Sequence, residues 1–177
     1  EIEIGPFAAG NCQIYRRVKG YKDRGLARWL DIFVNTTSTK QTFPVGIVTQ
    51  LNRPVTRTIT SSGADSFGKK DWAFITEHQG PASLLHIVCG ERSKLRPTVA
   101  AGGQNINVDY SITIPPGGTA ALCYFEAQGG DTAEVQKTLS QFNAAQLLND
   151  LPSAVRRLIV NFRSEGGVED IALNRSG

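Results

Sequence analysis

The clearest hydrophobic pattern in the chain lies at 107–128. Every second residue of 108–114 is apolar and its neighbours are polar, the period of two that is typical of a strand with one buried face. The following run, 119–127, is apolar on both faces, which predicts a central strand covered on both sides. The turn-forming sequence Pro115-Pro116-Gly117-Gly118 separates the two runs. Together they predict a β-hairpin at the centre of the fold.

Short apolar or alternating runs, each bounded by turn-forming residues, predict seven more strands earlier in the chain. Pro44 lies near the start of one of them and places that start at a sheet edge, because proline donates no hydrogen bond to a neighbouring strand. No helical pattern alternates with the strands, so we expect antiparallel pairing. The predicted strands are 1–4, 11–18, 28–36, 42–51, 55–61, 72–76 and 84–89, and a short segment follows at 98–100.

The hydrophobic period changes after Gly130. Asp131 followed by Glu134 is typical of a capped helix start, and apolar residues then recur at helical spacing. A second helical segment is predicted from Pro152, since proline is tolerated in the first turn of a helix. Apolar residues line one face of this segment as far as Phe162.

These patterns predict a mainly β fold, an antiparallel β-sandwich of the jelly-roll or immunoglobulin-like type with two C-terminal helices in 131–162. We expect the helices to bury their apolar faces on one end or edge of the sandwich. Residues 1–163 are predicted to form a single domain, and 164–177 a polar tail or linker. A chain of 177 residues with 40% hydrophobic residues can form a core of this size.

Composition narrows the classes of function. The net charge of +3 is too small to demand a polyanionic partner and argues against nucleic acid binding. No run approaches the ~18 apolar residues of a membrane-spanning helix. The chain contains no methionine and opens on Glu1. We therefore expect a processed or excised piece of an exported protein, with an extracellular, cell-surface or periplasmic location.

The cysteines and histidines give no metal or cofactor signature. Cys12, Cys89 and Cys123 are too widely spaced for a zinc ribbon; one disulfide with a free thiol, or three buried thiols, are both open. His86 precedes Cys89 by three residues, which places the two on opposite faces of a strand. Motifs for nucleotide phosphates and for a serine nucleophile elbow are missing from the sequence. We expect no metal, no cofactor and no catalytic residue among these positions.

A basic stretch interleaved with aromatic residues is a candidate ligand-binding segment. Such residues suit a polyanion such as an acidic polysaccharide, a nucleic acid or lipid phosphates. The favoured alternative is a solvated loop whose aromatic rings pack on the sandwich. Trp29 and Trp72 are likewise either platforms for a sugar ring or core residues, and core is favoured. The candidate residues are Tyr15, Arg16, Arg17, Lys19, Tyr21, Lys22, Arg24, Arg28, Trp29 and Trp72.

Paired carboxylates, which glycoside hydrolysis requires, can be distant in a sequence. Four carboxylates fall on predicted strands, and we interpret them as solvated outward positions. Asp65 and Asp71 in a loop of small residues form a weak calcium candidate. Asn35-Thr36-Thr37 matches the glycosylation acceptor pattern. The four strand carboxylates are Asp31, Glu77, Asp109 and Glu126.

The order of several segments resembles that of a group of secreted proteins. A strand led by Trp29 ends in Val34-Asn35-Thr36-Thr37, an apolar strand follows at 84–89, and Ser111 opens the run SITIPPGGTAALCYF before the helices. This order resembles β-sandwich modules of large secreted bacterial surface proteins. The resemblance implies a non-catalytic extracellular or periplasmic module, and it carries over no catalytic residue.

The first functional hypothesis is a non-catalytic β-sandwich module of an exported protein, acting in assembly, adhesion or partner binding. A protein partner or self-assembly at an edge strand is its expected mode. The alternative is a carbohydrate-binding domain that uses Trp29 or Trp72, and a glycan or other polyanion remains a possible ligand class. A glycan-acting hydrolase or lyase ranks last, because the chain offers little titratable chemistry.

Overall fold

A computed structural model describes residues 1–164 and 167–168 of the chain. Ten strands form two antiparallel sheets, and three short helices follow: α1 (Thr132–Ser140), α2 (Ala144–Leu148) and α3 (Ser153–Arg156). The strands are β1 (Ile2–Ala9), β2 (Cys12–Tyr21), β3 (Leu26–Asn35), β4 (Gln41–Gln50), β5 (Val55–Thr60), β6 (Ala73–His78), β7 (Ser83–Ile87), β8 (Thr98–Gly102), β9 (Asn105–Ile114) and β10 (Thr119–Gly129).

The two sheets differ in size. The large sheet has the order β1-β2-β3-β10-β7-β6-β5, and the small sheet has the order β4-β9-β8. One side of the large sheet, the sandwich face, packs on the small sheet, and its other side, the helical face, packs on the C-terminal helices. The predicted mainly β, antiparallel sandwich is confirmed, with three helices instead of two. Pro44 lies in β4, an edge strand of the small sheet, as predicted.

β10 is the central strand that its sequence predicts. It pairs with β3 on one side and β7 on the other, and Leu122 and Cys123 on its two faces are both fully buried. The predicted hairpin is wrong, because β9 belongs to the small sheet and pairs with β4 and β8. The turn at 115–118 instead carries the chain from one sheet to the other.

Asn35 explains why this turn crosses between the sheets. Its buried amide nitrogen donates to the carbonyl oxygens of Thr39, Ile114 and Pro115, at 2.8, 3.1 and 3.0 Å. These bonds fasten the crossover to the end of β3. The Asn35 side chain is fully buried and engaged, so the sequence pattern for glycosylation at this residue has no accessible acceptor in the folded domain.

The first helix begins where the sequence predicts it. The Asp131 carboxylate accepts from the backbone nitrogen of Glu134 at 2.9 Å, and the Glu134 carboxylate accepts from that of Gly130 at 2.6 Å. Val135 of α1 is buried against the helical face of the large sheet. The helices therefore cover a sheet face, and the predicted packing on an end or edge is wrong. That face carries an apolar row of its own, including Leu30 and Ile75, which needs a cover.

The predicted second helix is only one turn long. After α3 a turn brings the chain alongside β10 in the parallel direction, where the Ala121 nitrogen donates to the Leu158 carbonyl at 2.7 Å and the Ala121 carbonyl accepts from the Val160 nitrogen at 2.9 Å. Asn161 follows, fully buried: its amide donates to the carbonyls of Val88 and Cys123, at 2.8 and 2.6 Å, and accepts from the Cys123 nitrogen at 2.9 Å. This segment, 158–162, lies beside β10 beyond the end of β7 and is joined to β10 by one isolated bridge and by the Asn161 side chain.

Two predictions concern the ends of the chain. β1 is an edge strand with exposed apolar side chains, Ile2 at 68%, Ile4 at 46% and Phe7 at 52%; partner binding at such an edge stays a prediction. Of the predicted tail at 164–177, a two-residue strand β11 (Arg163–Ser164) paired with β12 (Gly167–Val168) is described. The other tail residues lie outside the described part of the chain.

Candidate functional site

A chain of hydrogen-bonded polar side chains crosses the sandwich face of the large sheet. The Nδ1 atom of His86 lies 3.2 Å from Glu126 Oε1, and its Nε2 atom lies 3.4 Å from the Thr76 hydroxyl. That hydroxyl is also 3.0 Å from His78 Nε2. The Thr49 hydroxyl, from β4 of the small sheet, donates to Glu126 Oε1 at 3.4 Å. Five side chains from four strands and both sheets therefore form one network that ends at a carboxylate.

His86 is fixed more firmly than Glu126. The imidazole is 4% exposed and stacks on Phe74, with ring centroids 4.7 Å apart. A carboxylate in its ionised form only accepts hydrogen bonds, and in that form its partner in this pair is the hydrogen on His86 Nδ1. Glu126 is 27% exposed. Its carboxylate is therefore oriented by His86 and Thr49 and is partly exposed, an arrangement suited to accepting a hydrogen bond from a bound hydroxyl or amine.

The exposed side of Glu126 opens into a cleft of about 420 Å³, the Glu126 cleft. Its floor is low because the residues across the sheet from Glu126 are small: Ala27 on β3 and Gly20 on β2 share its row. A Cβ atom built on Gly20 would meet nothing within 4 Å. The other described lining residues are Tyr21, Lys22, Gly25, Leu26, Thr49, Leu84, His86, Ala127 and Gln128.

Trp29 lies one row further along the sandwich face, opposite Tyr124 on β10. The two rings are parallel, with centroids 6.0 Å apart, and the Arg16 guanidinium carbon lies 5.5 Å from the indole centroid. β2 and β10 flank β3, so Arg16 and Tyr124 cover opposite sides of the indole. Trp29 is therefore half-buried, with a protein side chain on each side of it.

Asp31 holds Arg16 in this position. Arg16 donates from Nε and Nη2 to the two carboxylate oxygens, at 2.7 and 2.8 Å, and this bond raises the pKa of the guanidinium. The Asp31 side chain is 4% exposed, so its predicted solvated position is wrong. Glu77 accepts from Thr132 at 2.8 Å on the helical side, and Asp109 is exposed on the small sheet. The four strand carboxylates thus do not converge on one site.

The structure divides the predicted basic and aromatic ligand residues among several surfaces. Arg16 and Trp29 lie on the sandwich face, whereas the alternation of β2 and β3 turns five others to the helical face. Trp72 packs on Phe142, with ring centroids 6.0 Å apart, as part of the helical-face core. Lys22 and Arg24 lie in the exposed one-turn 3₁₀ helix that joins β2 to β3. The five on the helical side are Tyr15, Arg17, Lys19, Tyr21 and Arg28.

Arg28 is a structural residue in this arrangement. Its guanidinium is 1% exposed and donates to the Leu147 carbonyl at 2.9 Å, to Asp150 at 2.5 Å and to Glu1 at 2.6 Å. Burial alone would lower its pKa, but the hydrogen bond to Asp150 and the other anionic partners raise it. Tyr21 donates to the same Leu147 carbonyl at 2.8 Å. These bonds fasten α2 to the sheet, so the charge of Arg28 is satisfied within the protein.

All three cysteines are free and buried, which is the second of the two alternatives that their number left open. Burial raises the pKa of each thiol, to about 12 for Cys89, so the thiols stay protonated. Cys12 lies in the sandwich-face core and Cys123 in the helical-face core. They act as small apolar residues.

Asp71 organises the loop between β5 and β6 by accepting hydrogen bonds. One carboxylate oxygen accepts from the Ser61 hydroxyl and the Ser62 nitrogen, at 3.2 and 2.9 Å, and the other from the Gly68 nitrogen at 2.8 Å. The predicted calcium candidate pairs it with Asp65, which is exposed. Within the described residues no group of three or more metal-ligating side chains converges. Both Asp71 carboxylate oxygens are thus engaged in hydrogen bonds within the loop.

Replacing Asp71 with Asn should destabilise the domain by about 2 kcal/mol near neutral pH, because an amide donor would then face the Gly68 nitrogen. Burial alone would raise the pKa of Asp71, but the hydrogen bonds from Gly68 and Ser62 lower it overall. A lowered native pKa stabilises the fold above the unfolded value of about 3.9 and ceases to do so as the pH falls through the native value. Urea unfolding at pH 7 and at a series of values below pH 4 should show the difference from wild type shrinking as the pH falls. Asp65→Asn is the matched control, and an equal loss in both variants would contradict the assignment.

Only part of this site is predictable from the sequence. His86 and Glu126 were each considered singly, whereas Thr49, Thr76 and Gly20 were missed. These residues come from five strands, and the local pattern of hydrophobic and polar residues does not show which strands pair with one another. The alternation of β2 did carry one usable signal, because it places Arg16 and Arg17 on opposite faces.

The fold is similar to known sugar-related structures only at the level of architecture. No family model and no curated protein sequence matches the chain. A candidate kojibiose phosphorylase from the human microbiome is 9% identical, with a TM-score of 0.50 over 78% of this chain and 20% of that one. A candidate aldose 1-epimerase from Klebsiella pneumoniae subsp. pneumoniae MGH 78578 is 10% identical, with a TM-score of 0.44 over 85% of this chain and 54% of that one. The chain thus spans a fifth and about half of these proteins, and no helix among its described residues could cross a membrane.

Proposed function

We propose that this chain is a non-catalytic β-sandwich module of an exported protein and that it binds a carbohydrate in the Glu126 cleft. The observation that carries the proposal is the Glu126 carboxylate, oriented by His86 and Thr49 and partly open to the cleft. A pre-oriented acceptor at the base of a concave, mainly apolar cleft is the usual form of a small-ligand site.

The chemistry of the cleft suits a sugar. Sugar hydroxyls donate well to a carboxylate, and such charge-assisted hydrogen bonds are the strong ones. Leu84 and Ala27 line the cleft and offer apolar contact to the C–H groups of a ring. Gly20 leaves the space that a ring needs, because it has no side chain over the floor. The ligand would thus be held by polar groups and shape, and neither Trp29 nor Trp72 lines the cleft.

Binding rather than hydrolysis is proposed because the cleft offers a single acid. Among its described lining residues, Glu126 is the one carboxylate. Glycoside hydrolysis by the common mechanism needs two carboxyl groups about 5–10 Å apart across the bond. A candidate kojibiose phosphorylase shares this architecture, but that likeness concerns the fold, and the cleft itself supports the proposal.

Two variants should remove binding by independent means. Glu126→Gln keeps the shape and removes the charge, and should weaken binding about tenfold, since a charge-assisted bond becomes a neutral one. Gly20→Phe places a ring over the floor and should abolish binding with little effect on the strand, because nothing lies within 4 Å of its Cβ position. Screening on a glycan array, followed by calorimetric titration with the best oligosaccharide, measures both effects.

Asp109→Asn is the matched control, because it removes an exposed carboxylate on the far side of the small sheet. It should bind like wild type. Absence of binding by wild type to every array glycan at millimolar concentration, or unchanged binding by both cleft variants, would overturn the proposed site. Release of shorter sugars from the bound oligosaccharide would overturn its non-catalytic character. Secretion of the native protein, followed by fractionation of the producing cells, tests export.

A further inference from the structure

A second cleft borders the Glu126 cleft at the loop that joins β2 to β3. The second cleft, the basic cleft, has a volume of about 670 Å³ and lies between this loop and the helices α1 and α2. Four residues, Lys22, Gly25, Leu26 and Gln128, line both clefts. The shared residues place the two clefts on either side of this loop, within reach of one oligosaccharide.

The basic cleft has cations whose charge is not satisfied by the protein. Lys22, Arg24 and Lys137 line it, and none of the three forms an ion pair with a residue in the described part of the chain. Lys19 and Arg28 nearby differ in this respect, because both are paired with Asp150. Unpaired cations in a concave surface raise the local concentration of anions.

Two carboxylates also line the basic cleft, but they do not cancel this charge. Glu134 accepts from the Gly130 nitrogen at 2.6 Å and so serves the start of α1. Asp23 lies between Lys22 and Arg24 in the 3₁₀ turn, which ends at Gly25 in the left-handed conformation with φ 57°. Three cations against two carboxylates leave the cleft with a net positive charge, whereas the Glu126 cleft presents a carboxylate.

We propose that the ligand is an anionic oligosaccharide, with an uncharged sugar unit in the Glu126 cleft and a carboxylate- or sulfate-bearing unit in the basic cleft. The inference rests on the proposed function. Glu126 disfavours an anionic unit beside it, and the three cations favour one further along the chain. Side-chain amides of Gln128, Gln141 and Gln146 line the basic cleft and can pair with the hydroxyls of the same unit.

The test compares three hexasaccharides by calorimetry in 50 mM and 200 mM NaCl. One consists of N-acetylglucosamine alone, one alternates N-acetylglucosamine with glucuronic acid, and one is a sulfated form of the first. At least one anionic chain should bind wild type about tenfold more tightly than the neutral chain, and the preference should fall at the higher salt. Which anionic chain binds distinguishes a carboxylate from a sulfate.

The decisive variant replaces Lys22, Arg24 and Lys137 together with Gln. It should lose the preference, so that the anionic chain binds it no more tightly than the neutral chain does. The matched control replaces Lys40, Lys69 and Lys70, three exposed lysines elsewhere, and should keep the preference because it has the same net charge as the decisive variant. Glu126→Gln should weaken binding of every chain.

The outcomes separate this inference from the proposed function. Equal binding of neutral and anionic chains, or a preference that survives the triple substitution, overturns the anionic ligand while the Glu126 site stands. If both triple variants lost the preference for the anionic chain, the preference would arise from the net charge of the protein. That result would also overturn the role of the basic cleft. Failure of all three hexasaccharides and of the glycan array would overturn the proposed function itself.

Discussion

Asn161→Leu should lower the free energy of unfolding by about 4 kcal/mol, because each buried backbone group left without a partner costs about 1–3 kcal/mol. The substitution removes the bonds to the nitrogen and carbonyl of Cys123 and one of the two bonds to the Val88 carbonyl, which also accepts from Tyr110. Asn161 is fully buried, so water cannot replace them. Urea unfolding followed by fluorescence measures the loss.

Asn105→Leu is the matched control, since Asn105 is exposed at the start of β9. It should change the free energy of unfolding by less than about 0.5 kcal/mol, as is usual for surface substitutions. An ordinary hydrogen bond contributes about 1 kcal/mol. A free energy of unfolding for the Asn161 variant that lies within about 1 kcal/mol of wild type would contradict the bridging role of Asn161.

Arg28→Met should cost about 3 kcal/mol, at the lower end of the range for breaking a buried ion pair. The lower end applies because the partners Glu1 and Asp150 are 31% and 33% exposed and can regain water. The Leu147 carbonyl keeps its bond from Tyr21. The loss should concentrate in α2, so hydrogen exchange of the α2 amides should accelerate more than that of β10.

The same substitution should change the response to acid. Burial alone would raise the pKa of Asp150, but the hydrogen bonds from Arg28 and Lys19 lower it. A lowered native pKa gives stability above the unfolded value that disappears as the pH falls through the native value, so part of the acid sensitivity should vanish in Arg28→Met. Arg17→Met is the control, because Arg17 pairs only with a partly exposed Glu3. Equal effects of the two would contradict the buried network.

The sequence predicted the strands well and their partners poorly. β10 was recognised as central because burial on both faces leaves a continuous apolar run. The alternation of β9 says that one face is buried, but not on which sheet, so the turn at 115–118 fitted a hairpin as well as a crossover. In the C-terminal segment 158–162 the apolar residues recur at helical spacing. Its neighbour in the fold is β10, some forty residues earlier in the chain, and the hydrogen bonds to β10 hold it in a different conformation.

The candidate site was harder to predict for the same reason. Glu126 and His86 are ordinary residues in their own strands, and only the pairing of β7 with β10 brings them within hydrogen-bond distance. The basic cleft likewise combines Lys22 and Arg24, which a local charge pattern singled out, with Lys137 from α1, which no pattern joined to them. Arg28 belongs to the same basic stretch of the sequence, but it is buried because the fold places the carboxylates of Glu1 and Asp150 beside it.

The insertion of 158–162 beside β10 has a consequence for the order of events during synthesis. Asn161 leaves the ribosome 38 residues after Cys123, the strand residue whose backbone it satisfies. Until then the backbone groups of Ala121 and Cys123 that bond to 158–162 have no partner, even where the other strands have already paired. The last step of folding therefore follows release of nearly the whole described chain, and a message truncated before codon 158 should yield a chain that proteases remove.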